Sequence, residues 1–177
     1  LPEAMAAYQF FLDVIPKSVL LEKYDRIPDK ISVSTKTDLS ESYTRKYWKI
    51  AETDPTQIVE EIDKLLPRAD WGNDKHIHIW KIKTNKVDND AHLIVNKRTG
   101  YIEYLCFRAD LREDRLQFLM NMIELAEKFD WIFMDSKDNL ANPDIHEIKK
   151  LIVKSNAFRF IHNPQKLLDD LKPENLT

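Results

Sequence analysis

Glycine is nearly missing from this chain: its 177 residues include two, Gly72 and Gly100. A dinucleotide-binding turn or a phosphate-cradling P-loop places two or three glycines within a few residues, because the backbone must approach the phosphate with no Cβ in the way. Both are excluded. Cysteine is reduced to Cys106 alone, which excludes an intrachain disulfide and a cysteine-rich zinc cluster. No stretch approaches the roughly 20 apolar residues of a membrane span. Leu1 to Asp13 lacks a basic segment followed by an apolar run and a small-residue cleavage site. A cytoplasmic chain without a membrane partner is the expectation. Neither sign of charge dominates, with 27 Lys+Arg against 30 Asp+Glu and a net charge of -3, so there is no global pull toward nucleic acid and none is expected as a partner.

What is present suits a folded domain. Hydrophobic residues make up 43% and charged residues 32%, with a mean hydropathy of -0.50. A chain of this length can bury roughly 70% of its unfolded surface in one core. No internal repeat, low-complexity tract or linker divides it, so residues 1–177 are expected to form a single α+β domain.

The local patterns give an order of elements. Tyr8 to Ile15 is aromatic and aliphatic and stops at Pro16, which predicts an early buried strand, with a short helix from Lys17 to Tyr24 after it. Ser34 to Thr44 contains one aliphatic residue, Leu39, and reads as an exposed loop. Asp54-Pro55-Thr56-Gln57 is a helix start, with Asp54 as N-cap and Pro55 in the first turn, for a helix to about Leu66. Three strands are expected at His76 to Lys83, Ala91 to Asn96 and Tyr101 to Leu111. The last two are joined by a short loop in which Gly100 takes the left-handed position. Together they read as an antiparallel meander. Glu113 to Phe129 is the longest expected helix, apolar on more than one stripe and so covered on two sides, lying across the sheet. A strand at Trp131 to Met134, a turn at Asp135 to Asn139, and helices opened by Asn142-Pro143 (to Lys154) and Asn163-Pro164 (to Leu171) complete the chain. The fold class is a central antiparallel sheet covered by helices.

Several groups of residues are candidates for chemistry. His76 and His78 share a strand face, and His92 on the next strand could lie across from them, as a zinc site with an open position would need; solvated side chains are the plainer reading. No bound metal or cofactor is expected. Asp70, Asp74, Asp88 and Asp90 flank the first strand of the meander. Paired carboxylates can serve as acid and base or hold Mg²⁺, giving a metal-assisted hydrolase of nuclease type, while turn-forming aspartates explain the same residues. The Glu-x-Lys that a restriction-like nuclease carries is replaced by Glu103-Tyr104-Leu105. Cys106 lies in an apolar run where a buried, inert thiol is the rule, and no serine occupies a Gly-x-Ser-x-Gly turn. Arg108, Asp110 and Arg112 alternate onto one strand face, where they can pair internally or reach a partner. Tyr43, Tyr47, Trp48 and Trp71 stand in or beside polar, turn-rich sequence, either as interface anchors or as a lid over the core.

In Tyr8 to Pro16, Trp71-Gly72-Asn73-Asp74, Phe107 to Arg112 and Ser155 to Phe160, the chain resembles small bacterial proteins found near polymorphic toxins and assigned as immunity proteins. The resemblance spans most of the domain. That group has no defining catalytic motif, so it brings no catalytic residues. It implies a non-enzymatic, cytoplasmic, single-domain protein that binds one cognate toxin domain and blocks it. On this reading Tyr43, Tyr47, Trp48, Asp70, Trp71 and Asp74 form the contact patch, the aromatics as anchors and the carboxylates as steering or capping groups for a basic toxin site.

Overall fold

The computed structural model describes residues 6–31 and 40–163, with the backbone alone at 40–43. The aromatic and aliphatic run that the sequence places early forms β1 (Gln9–Pro16), buried along almost its whole length because it lies inside the sheet rather than at its rim. It pairs antiparallel with β4 (Ile102–Asp110) on one side and β5 (Trp131–Asp135) on the other. Beyond β4 lie β3 (Asp88–Val95) and β2 (Ile77–Lys83), and beyond β5 the two-residue β6 (Leu140–Ala141). The order is β2-β3-β4-β1-β5-β6 and every pairing is antiparallel, so the α+β class and the meander over 76–111 are present as the sequence predicts.

Strand alternation gives the sheet two different faces. On one, Leu12, Val14, Ala91, Leu93, Leu105, Phe107 and Phe133 join the main core. Ile58 and Ile62 from α3 (Thr56–Asp63), Phe118 and Met122 from α4 (Gln117–Phe129), and Ile148 and Ile152 from α5 (Ile145–Ile152) complete it. Phe107 meets Phe118 edge-on with ring centroids 5.8 Å apart, which places α4 over the sheet. On the other face Ile15, Ile132 and Met134 pack with Val19 and Leu20 of α1 (Lys17–Tyr24) and Tyr47 of α2 (Ser40–Ala51).

Helix ends are where local signals and structure part. Asp54 does accept from the Thr56 N–H at 2.8 Å, but α3 stops at Asp63 rather than at Leu66. The expected helix at 113 begins at Gln117, because Arg115 (φ 56°) and Leu116 (φ 51°) are both left-handed. Glu113 instead caps it from outside, its carboxylate accepting from the Phe118 N–H at 3.0 Å. The cap of α5 is Asp144, which accepts from the His146 and Glu147 amides, and Asn142 bonds Glu147. A helix that local pattern missed, α6 (Asn156–His162), follows a Ser155 cap. The helix expected from Asn163-Pro164 to Leu171 lies outside the described residues after Asn163. So does most of the expected loop at 34–44, whose end from Ser40 to Thr44 is helical, with Thr44 buried.

Candidate functional site

The six residues expected to form one contact patch are divided by the fold. Tyr47 and Trp48 are core residues: both are buried, the Trp48 indole N–H donates to the Val14 carbonyl at 2.9 Å, and its ring meets Trp131 edge-on. The polar neighbours that suggested exposure, Lys46 and Lys49, occupy the solvent side of α2 while the aromatics face inward. The Tyr43 side chain lies outside the described residues. Asp70, Trp71 and Asp74 stay together on the segment that leads into β2.

That segment is built onto the outer edge of the sheet. An edge strand presents unpaired N–H and C=O groups at alternate residues, and here Ile77, Ile79 and Lys81 are all met by residues 67–74. Ile77 donates its N–H to Asp74 Oδ1 at 2.8 Å, and its carbonyl accepts from the Asp74 N–H at 2.9 Å. Ile79 donates to Asn73 Oδ1 at 2.8 Å and accepts from the Ala69 N–H at 2.9 Å. The Lys81 N–H donates to the Pro67 carbonyl at 3.0 Å. The Asn73 amide closes the loop on itself, donating to the Ala69 carbonyl at 2.7 Å. Gly72 passes so close that a Cβ there would stand 2.6 Å from Ile79 Cδ1, at a φ of +73°. Few conformations of this loop satisfy all these contacts, so Trp71, 41% exposed, is held out on a fixed support.

The carboxylates beside it differ in role. The His76 amide, with that of Ile77, holds the Asp74 carboxyl below its ordinary range; the group is occupied in fixing the loop. Asp70 is exposed and can face a partner. Behind the loop, Arg68 is locked: it pairs with Asp63, reaches His78 Nδ1 at 2.8 Å, and lies 4.5 Å over the Trp80 ring. Trp80 in turn donates to Asp63 at 2.7 Å.

The other candidate groups do not assemble into a reactive centre. His92 is opposite Ile79 and His78 is opposite Leu93, so His92 faces away from His76 and His78. Among the described residues no group of three or more His, Cys, Asp or Glu is placed to hold a metal. Asp74 bonds Ile77 at one end of β2, whereas Asp88 pairs with Lys83 at the other, six residues or about 20 Å along the strand.

Asp88 and Asp90 are not the turn residues the sequence suggested but buried members of β3. Asp90 accepts from Arg108 Nε at 2.7 Å, Lys81 Nζ at 3.0 Å and Gln9 Nε2 at 3.2 Å, and Asp88 pairs with Lys81 as well. Asp110 bonds the Asp88 N–H at 2.9 Å and pairs with Arg112, whose guanidinium also stacks on Tyr8. The Arg108-Asp110-Arg112 ladder thus pairs inside the protein, with Asp90 on the neighbouring strand neutralising Arg108. Alternation of Asp88, Asp90 and His92 against Lys81 and Lys83 was the available sign that 88–95 is one strand. Burial pushes the Cys106 thiol well above its ordinary range and keeps it protonated.

No family model matches this chain, and the comparisons with curated proteins and with solved structures found no match. Among the described residues no helix is long and apolar enough to cross a membrane. What the Trp71 segment offers chemically is a large amphipathic ring and a neighbouring carboxylate on a rigid base, an arrangement that can enter a partner's pocket with little ordering cost.

Proposed function

We propose that this chain is a non-enzymatic binding protein of the immunity type, which engages a cognate protein toxin domain and neutralises it. Trp71 is the central anchor, Asp70 the charged group that steers a basic toxin surface, and Asp74 a positioning residue that holds the loop. The observation that carries this reading is an exposed tryptophan on a loop hydrogen-bonded to the sheet edge on both sides of it, through residues 67, 69, 73 and 74. Tryptophan is over-represented among interface hot spots, and pre-ordering removes part of the entropic cost of binding. The resemblance noted in Trp71-Gly72-Asn73-Asp74 falls on the same segment.

The test is to co-express the chain with the product of the adjacent upstream reading frame. The expected result is copurification and rescue of growth. Trp71→Ala should weaken the complex by more than about thirtyfold, equivalent to about 2 kcal/mol, while melting curves still show a cooperatively folded chain, since Trp71 lies outside the core. A neighbour that is harmless alone, or that stays lethal without binding this chain, rejects the proposal.

A further inference from the structure

A second concave surface carries a different chemistry. The last turns of α2, the β3–β4 turn and the start of β4 enclose a cleft of about 250 Å³, lined by Arg45, Lys49, Glu52, Thr99, Tyr101 and Glu103 among others. Its walls are fixed. The Asn96 side chain accepts from the Arg98 and Thr99 amides at 2.9 and 3.1 Å, and the Gly100 N–H closes the turn on the Asn96 carbonyl at 2.9 Å. The Ile102 N–H donates to the Thr53 carbonyl at 2.9 Å, tying the end of α2 to β4.

The cleft carries a positive excess in a chain of net -3. Arg45, Lys46 and Lys49 line the cleft and Lys97 and Arg98 sit on its turn, against Glu52 and Glu103. The Arg45 guanidinium is 3.1 Å from Glu103 in a half-exposed pair, which sets its position without saturating a five-donor fork. Tyr101, 37% exposed, presents a ring at the same cleft. Cations on one wall, from α2, facing a hydroxyl at Thr99 and the Tyr101 ring on the other match a phosphate group with its oxygens spread among several donors.

We propose that this cleft binds a small phosphate-bearing ligand, with Arg45 and Lys49 on the phosphate oxygens. This site is independent of the Trp71 surface and of the toxin-binding proposal. Glu103 opposes an incoming anion and shares Arg45 with it, which makes a specific, two-directional test available.

The ¹⁵N-labelled chain is titrated at low ionic strength with inorganic pyrophosphate and, separately, with adenosine monophosphate. The expected result is saturable binding, with shift changes at the Thr99 and Tyr101 amides, that weakens as sodium chloride is raised. Lys49→Gln should weaken it about tenfold or more, the loss of one charge-assisted hydrogen bond, while Glu103→Gln should tighten it by freeing Arg45. Tighter binding of the monophosphate, lost in Tyr101→Ala, would assign a nucleotide; equal binding would assign a phosphate group alone. Melting curves establish that each variant is folded, and Lys149→Gln on α5 controls for general surface charge. Failure of both probes to saturate, equal weakening by Lys149→Gln, or an unchanged affinity in Lys49→Gln overturns the proposal.

Discussion

Asn73 and Ile79 are joined by a side-chain hydrogen bond that substitutes for a missing strand: the Asn73 carbonyl oxygen accepts the Ile79 N–H at 2.8 Å, where a further β-strand would otherwise pair. The same side chain donates to Ala69, so it ties both arms of the loop. Asn73→Ala should cost about 1–2 kcal/mol in urea denaturation and speed amide exchange at Ile79. Asn73→Asp keeps the acceptor and loses the donor, and should retain protection at Ile79 while loosening residue 69.

The two glycines are expected to respond differently to the same substitution. Both have φ near +75°, so alanine is strained at each. At Gly100 the new Cβ meets nothing within 4 Å, and the cost should be about 1 kcal/mol. At Gly72 it also displaces the end of the Ile79 side chain, so Gly72→Ala should be the more destabilising of the two in parallel melts. It should also weaken partner binding, which Gly100→Ala should not.

Asp90 has the most to lose on truncation. It is buried and accepts from Arg108, Lys81 and Gln9, so Asp90→Ala removes a buried carboxylate shared by three donors, while Lys81 keeps its pair with Asp88. A loss of about 3–5 kcal/mol is expected by chemical denaturation. Replacing Asp70, exposed on its loop, should change stability by less than about 0.5 kcal/mol.

His78 gives the protein an acid-side dependence. Burial, and then the adjacent Arg68, lower its pKa below the ordinary histidine value. The native state therefore binds fewer protons than the unfolded chain. Its contribution is fully present above the unfolded pKa of about 6.5 and is lost as pH falls through that region. Thermal stability should drop between pH 7 and pH 5, and the drop should shrink in His78→Gln. A proton on Nδ1 would face the Arg68 N–H, 2.8 Å away, so the Arg68 clamp should loosen over the same range.

Glycine scarcity leaves helix ends to be made by acidic residues. Asp25 closes α1 in the left-handed region at φ 57°, with its N–H on the Leu21 carbonyl at 2.8 Å. Glycine is the preferred residue for this geometry. Asp25→Gly should raise stability by about 0.5–1 kcal/mol, measured as an increase in melting temperature.

How much the chain declares locally can be judged from particular segments. Alternating apolar residues marked β2, an apolar run marked β4, Gly100 marked the loop between β3 and β4, and apolar spacing marked α3 and α4, since each depends on residues within a turn or a strand of one another. The same alternation ran through Asp88, Asp90 and His92, yet carboxylates there read as turn residues. Their burial depends on Lys81, nine positions from Asp90, and on Arg108, 18 positions away.

The candidate site divides on the same principle. Sequence alone determined that these residues form no glycine-rich phosphate loop and no intrachain disulfide, that the domain is α+β, and that Asp70, Trp71 and Asp74 share one turn-rich segment. Only the tertiary structure decided that Tyr47 and Trp48 are core while Trp71 is exposed, because exposure depends on what packs against a residue from elsewhere in the chain. Trp48 finds the Val14 carbonyl and Trp131, whereas the Trp71 loop spends its hydrogen bonds on the edge of β2 and leaves the ring outside.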